Sequence, residues 1–76
     1  MSEEMPEKTR QLFQIFRDAV QREREAQMTY KHAAELCEDE TLRGLFEGFY
    51  KDELRHEKML LARYKRLRKE HNVQGK

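Results

Sequence analysis

The sequence contains few of the residues that interrupt helices or cross-link chains. Its 76 residues include one proline, three glycines, one cysteine and no tryptophan. A single cysteine offers no disulfide framework, so we expect a reducing, cytoplasmic location. The proline stands at position 6 and the glycines at positions 44, 48 and 75, which leaves long stretches free to run as unbroken helix.

Long apolar runs and an excess of charge of one sign are also missing. No stretch approaches the roughly 18 apolar residues of a membrane span, and we recognise no signal peptide before the first predicted helix. Charged residues make up 41% of the chain, but 16 basic residues against 15 acidic ones leave a net charge of +1. We therefore expect neither a membrane nor a nucleic acid as the main partner.

What remains is helix-forming sequence in two blocks. We predict one domain over 1–76, with helix 1 over about 6–37, a turn over 37–41, helix 2 over about 40–70 and a tail over 71–76. Asp39 is the predicted N-cap of the second helix. Strand patterns and glycine-rich phosphate loops are absent from the sequence. The predicted fold class is all-α, an antiparallel two-helix hairpin.

Each predicted helix carries a stripe at heptad spacing, and we call the two stripes together the seam. Steps of three and four residues place the members of each stripe on one face. In helix 1 the seam consists of Leu12, Phe16, Ala19, Glu23, Ala26, Tyr30, Ala33 and Cys37. In helix 2 it consists of Leu42, Phe46, Phe49, Glu53, His56, Leu60, Arg63 and Leu67.

Flanking apolar residues make these stripes wider than two helices can cover. Phe13, Val20 and Ala34 widen the first stripe, and Tyr50 and Tyr64 widen the second. A face of that breadth needs further neighbours, and chains this short usually need a partner, a metal or a covalent link. We therefore expect a homodimer, or a larger assembly of dimers, in which two hairpins form a ferritin-like four-helix bundle.

Three ionisable residues occupy the middle of the seam. Glu23 lies 16 residues before Asp39 and Glu53 lies 14 after it, so both are about 21–24 Å from the turn and face each other. His56 follows Glu53 by three positions and shares its face. A buried carboxylate costs several kcal/mol unless it is paired or binds a metal.

The residue types favour a metal. Carboxylate and imidazole suit iron, manganese or zinc, and the lack of thiolate disfavours a closed structural zinc site. Di-metal carboxylate bundles use one Glu from each of two helices and a Glu-x-x-His from each of the other two. This chain supplies one of each, so two copies would provide ligands for two ions. The alternative is a Glu–His ion pair that sets register in a metal-free coiled coil.

For other residues near the seam, the sequence gives weaker evidence of a role at the metal site. Glu57 is predicted to be a solvated rim carboxylate, with a role beside or in the ligand set as the alternative. Tyr30 is predicted to pack in the core, with a hydroxyl bond to a metal-bound carboxylate as the alternative. Cys37 reads as a small core residue. We expect no role at the site for His32 or His71.

Three stretches resemble the rubrerythrin-like and ferritin-like di-iron carboxylate family. They are AVQREREAQMTYKHAAE (19–35), DETLRGLFE (39–47) and DELRHEKML (52–60). In that family, a Glu with Ala at +3 and Tyr at +7 is the first-helix ligand pattern, which falls on Glu23. The Glu-x-x-His of the next helix falls on Glu53 and His56. The two-helix form is similar to encapsulated ferritins, whose site lies at a dimer interface.

The resemblance implies an oxidoreductase that oxidises ferrous iron with oxygen or peroxide, with two irons per dimer. It also implies a separate electron donor for any peroxide reduction, and a location in the cytoplasm or in a protein compartment there. Two functions of other classes stay open. One is a metal-free helical interaction and dimerisation module, and the other is a passive zinc- or manganese-binding protein without turnover.

Overall fold

The computed structural model describes residues 5–71, and this part of the chain forms two long α-helices. Helix α1 comprises Glu7–Leu36 and helix α2 comprises Glu40–Glu70. The predicted helical hairpin is confirmed, and both helices begin and end within one residue of the predicted positions. Most of the predicted tail, from residue 72 onward, lies outside the described residues, as do residues 1–4.

Three residues, 37–39, reverse the chain, and hydrogen bonds tie them to both helices. The Cys37 backbone N–H donates to the Ala34 carbonyl at 3.2 Å. The Asp39 carboxylate accepts from the Leu42 backbone N–H at 2.9 Å, which makes Asp39 the N-cap of α2 as predicted. The Arg43 guanidinium donates to the Cys37 carbonyl at 2.6 Å. Such a short turn makes the two helices antiparallel neighbours.

The hairpin is a single layer of two helices. Its principal extents are 59 × 20 × 15 Å, which is about two helix diameters wide and little more than one thick. Within residues 5–71, no side chain is less than 2% exposed. The residues classed as buried are Thr9, Phe13, Val20 and Ala34, all on α1. In a layer this thin, only the residues along the contact between the two helices are buried.

The most buried residues lie along the flank of the stripes, and seam residues such as Tyr30 and Phe49 also meet across the helices while staying partly exposed. Phe13, Val20 and Ala34 were expected to widen the core, and in one hairpin they are its centre. Phe13 meets Tyr64 edge-on, with ring centroids 5.5 Å apart. Two helices can interlock along one line only, so the seam beside that line needs a third neighbour to be covered.

We call the side of the hairpin towards which the seam faces the open face. Large apolar residues remain exposed there, namely Leu12, Ile15, Leu42, Leu45 and Phe49. At about 100° per residue, Met28 lies about 160° around α1 from Leu12, on the opposite side of the hairpin. No helix within residues 5–71 has the length and apolar character needed to cross a membrane.

Candidate metal centre

The structure brings together the three ionisable residues of the seam. Glu23 comes from the middle of α1, and Glu53 and His56 come from the middle of α2. Each offers one ligand atom, and these atoms lie within 4.8 Å of one another. His56 Nδ1 lies 3.4 Å from Glu53 Oε1 and 3.6 Å from Glu23 Oε1. The expected convergence is therefore present, and metal binding at these residues stays a prediction.

Aromatic rings bracket the cluster along the hairpin. On the turn side, the Tyr30 ring lies 5.3 Å from that of Phe49 and 6.2 Å from that of Phe46, between ring centroids. On the other side, Phe16 and Tyr64 have centroids 6.1 Å apart. Tyr30 thus packs among aromatic residues, as predicted. Aromatic side chains therefore flank the cluster on both sides along the helices.

The surroundings of Glu23 disfavour an ionised carboxylate that has no bound cation. Its side chain is 22% exposed, and its Oε1 atom is buried without a hydrogen-bond partner among the described residues. The facing Glu53 carboxyl, which can share a proton with Glu23, raises the pKa of Glu23 above its ordinary value of 4.5. Burial raises this pKa further, and the nearby His56 opposes the shift. A cation would relieve both the repulsion and the unsatisfied oxygen.

The cluster opens outward at His56. The His56 side chain is 51% exposed, whereas Glu53 is 20% exposed. Three protein ligands do not complete the coordination of a transition metal, and they leave positions for water, a substrate or ligands from another chain. In one hairpin the three side chains therefore lie at the open face, where His56 is half-exposed.

Both the donor atoms and their spacing fit a divalent transition metal. Two carboxylates and one imidazole are ligands for iron, manganese and zinc. Donors about 2.1 Å from one ion lie about 3.0–3.4 Å apart, which is close to the observed 3.4 and 3.6 Å. Glu23 Oε1 has no hydrogen-bond partner among the described residues, and His56 Nδ1 at 3.6 Å is beyond hydrogen-bond distance, so a bound ion would satisfy this oxygen.

Glu57 is not the solvated rim carboxylate that we predicted. Its side chain is 16% exposed and accepts two hydrogen bonds from α1, from Gln27 Nε2 at 2.6 Å and from Arg24 Nε at 2.8 Å. These donors, Gln27 first, lower the pKa of Glu57 below its ordinary value. Glu57 is therefore a carboxylate of the helix–helix contact and not a solvated rim group.

Sequence reasoning also missed Arg24 and Gln27. A signal for them was present, because 20, 24, 27 and 34 follow the helical spacing of the buried flank defined by Val20 and Ala34. Gln27 is half-buried on that line and finds its partners on α2, whereas the Arg24 side chain is 55% exposed and reaches Glu57 from the edge of the contact.

The remaining candidates lie away from the cluster. His32 Nδ1 is 3.9 Å from Glu35 Oε1 in an exposed pair. Cys37 is in the turn, and the His71 backbone N–H donates to the Leu67 carbonyl at the end of α2. Within residues 5–71, no second group of three His, Cys, Asp or Glu side chains converges as Glu23, Glu53 and His56 do.

Comparisons of the chain with protein-family models, with curated proteins and with solved structures each found no match. The resemblance to di-iron carboxylate proteins therefore stays an inference from the motifs.

Proposed function

We propose that the protein binds iron through Glu23, Glu53 and His56 and oxidises ferrous iron at a site completed by a second copy of the chain. The observation that carries the proposal is the convergence of these three side chains around a buried, unpartnered carboxylate oxygen. Two carboxylates that face each other raise the free energy of the metal-free site, and binding a divalent cation would lower it.

The roles of the protein groups follow from their positions. Bound ferrous ions supply the electrons, two ions giving two electrons that reduce oxygen, with two protons, to hydrogen peroxide. The Glu23 and Glu53 carboxylates neutralise the positive charge of the ions. Each can act as a ligand at the open face because its side chain points from the helix contact towards that face. His56 adds a neutral nitrogen donor. The aromatic layers on both sides limit the access of water along the bundle.

The open face supports completion of the site by a second copy. It runs along a hairpin 59 Å long and 20 Å wide, which leaves room for the roughly 800 Å² per partner that stable interfaces bury. Phe49 is exposed on it one turn from Glu53, and Leu45 and Leu42 are exposed on it further towards the turn. A two-fold axis through the cluster would bury these residues and bring together four carboxylates and two imidazoles, enough for two ions.

The charges at the two ends of the hairpin favour an antiparallel pairing of the copies. Segments 7–18 and 60–71, at the end away from the turn, hold eight Lys and Arg against three acidic residues. Segment 31–48, around the turn, holds five acidic residues against two basic ones. If the turn of one copy lies beside the open end of the other, these charges attract. The cluster lies midway, so it meets its symmetry mate in this arrangement.

Ferrous oxidation kinetics with matched histidine variants test the proposed activity. We expect the wild-type protein to consume oxygen or peroxide in proportion to added ferrous iron, and His56→Ala to lose this activity. His32→Ala, an exposed histidine outside the cluster, should retain it. Wild-type protein that binds metal without consuming either oxidant would contradict the oxidase proposal and support a passive metal-binding protein.

A metal-free dimerisation module is the second candidate. The His56 imidazolium, when protonated, lies within ion-pair distance of both Glu53 and Glu23, so the three groups can pair without a metal. Such a module predicts that Glu53→Gln forms a dimer at least as stable as the wild type and that added iron stabilises neither protein. The iron proposal predicts stabilisation by iron in the wild type alone.

A further inference from the structure

A polar network at the helix contact adjoins the ligand cluster. Glu57 Oε1 accepts from Gln27 Nε2 at 2.6 Å, and Glu57 Oε2 accepts from Arg24 Nε at 2.8 Å. The same Gln27 Nε2 atom also donates to the backbone carbonyl of Glu53 at 3.5 Å. One amide group of α1 therefore contacts both a ligand-bearing residue of α2 and the carboxylate one turn beyond it.

This network differs from the other polar pairs of the described helices. Pairs such as Gln21–Glu25 and Arg55–Asp52 join residues three or four positions apart in one helix, and they are exposed. Within residues 5–71, the side-chain hydrogen bonds that join α1 to α2 are those that Arg24 and Gln27 donate. The three-residue turn sets the approximate register of the two helices, and these directional hydrogen bonds define the offset that remains, because the surrounding apolar contact is not directional.

We propose that Arg24, Gln27 and Glu57 act as a positioning clamp that holds α1 and α2 in the register at which Glu23 faces Glu53 and His56. The clamp acts before any ion binds, so less reorganisation is required when the ion arrives. The ligand role of Glu23, Glu53 and His56 is the proposed function on which this inference rests. Glu57 is assigned as a positioning residue, because both of its oxygens already accept hydrogen bonds from α1.

Anaerobic titration with ferrous iron tests the clamp. Gln27→Ala should weaken iron binding about ten- to one-hundred-fold, the range found when groups that orient metal ligands are lost. Gln21→Ala is the matched control, since Gln21 is on the same helix and also bonds a glutamate, but at the exposed surface. The control should bind iron as the wild type does. Equal affinities for Gln27→Ala and the wild type would overturn the clamp.

Exchanging the amide of Gln27 and the carboxylate of Glu57 tests whether Glu57 positions the ligands or is itself a ligand. Gln27→Glu alone opposes two carboxylates and should weaken iron binding. Adding Glu57→Gln restores a donor–acceptor pair with the roles reversed, and affinity should recover most of the way to the wild type. Recovery identifies Glu57 as a positioning residue, because a ligand carboxylate could not be replaced by an amide. Failure to recover affinity in a double variant that has regained wild-type stability overturns the assignment.

Amide hydrogen exchange in the metal-free protein gives a readout that needs no ion. Gln27→Ala should accelerate exchange at 53–57 more than at 42–46, whereas uniform acceleration would indicate simple destabilisation and overturn the clamp. If wild-type protein does not bind ferrous iron, the proposed function fails. The exchange pattern still decides whether the clamp holds the register of the helices.

Discussion

Phe49 gives the sharpest quantitative test of whether the open face is the dimer interface. Its side chain is 38% exposed in the hairpin, on the same face as the ligand cluster. Taking about 200 Å² for a phenylalanine, about 75 Å² would leave water when a second copy packs there. At about 25 cal/mol per Å², that burial stabilises the dimer by about 2 kcal/mol per subunit. Both copies change in a homodimer, so Phe49→Ala should cost about 4 kcal/mol.

A loss of about 4 kcal/mol corresponds to a dimer Kd about 700-fold weaker. Sedimentation equilibrium of metal-free protein measures it directly, over a concentration range that spans both Kd values. Met28→Ala is the control, because Met28 is 73% exposed on the opposite side of α1 and should leave the Kd unchanged. Phe49 also contacts Tyr30 and Phe46, so circular dichroism must show that the variant is still helical.

The two variants together can refute the reasoning. A helical Phe49→Ala protein whose dimer Kd changes less than about tenfold would show that the open face is not the interface. A Met28→Ala protein with a weakened dimer would place the interface on the opposite side of the hairpin. Either result would mean that the second copy does not pack beside Glu23, Glu53 and His56 and cannot complete the site.

Further outcomes concern the charge of Glu23, the metal and the glycines of α2. Because the pKa of Glu23 is raised in the folded protein, the folded state binds this proton more tightly, and the free energy of unfolding of the metal-free protein should fall as pH rises from 4.5 through the folded-state pKa. Urea unfolding across this range measures the fall, which Glu23→Gln should abolish; a fall that persists in the variant has another source. Ferrous iron at about 100 times its Kd should add about 2.7 kcal/mol of stability, or about 10–20 °C in Tm for a chain of this size, in the wild type but not in Glu53→Ala. Gly48→Ala should stabilise α2 by about 1 kcal/mol in thermal unfolding, because a Cβ there meets no atom within 4 Å. Destabilisation by Gly48→Ala would instead indicate that another chain packs against this glycine.

Counting residues was enough to predict the parts of the molecule that depend on helix geometry alone. Asp39 caps α2 as expected, and the short turn fixes which residues of the two helices face each other. Glu23 and Glu53 therefore converge because each lies a similar number of residues from the turn. His56 joins them because a three-residue step keeps it on the same face as Glu53.

Features that depend on side chains of the facing helix were harder to predict. The heptad pattern marks one broad apolar stripe, but it does not state which edge of the stripe the first neighbour covers. In the hairpin, α2 covers the edge containing Phe13 and Val20, and the seam is left half-exposed. Glu57 lies on that covered edge, so its surroundings depend on Arg24 and Gln27, which lie more than 29 residues away in sequence.

Iron content and solution mass, determined on the same samples, test the central claim most directly. The samples are wild-type protein, Glu53→Ala and the control Glu47→Ala, which alters an exposed glutamate of the same helix, each purified with ferrous iron. The account predicts about one iron per chain in a dimer for the wild type and for Glu47→Ala, and loss of the iron in Glu53→Ala. A metal-free wild-type dimer, with Glu53→Ala at least as stable, would contradict the account and leave a helical dimerisation module.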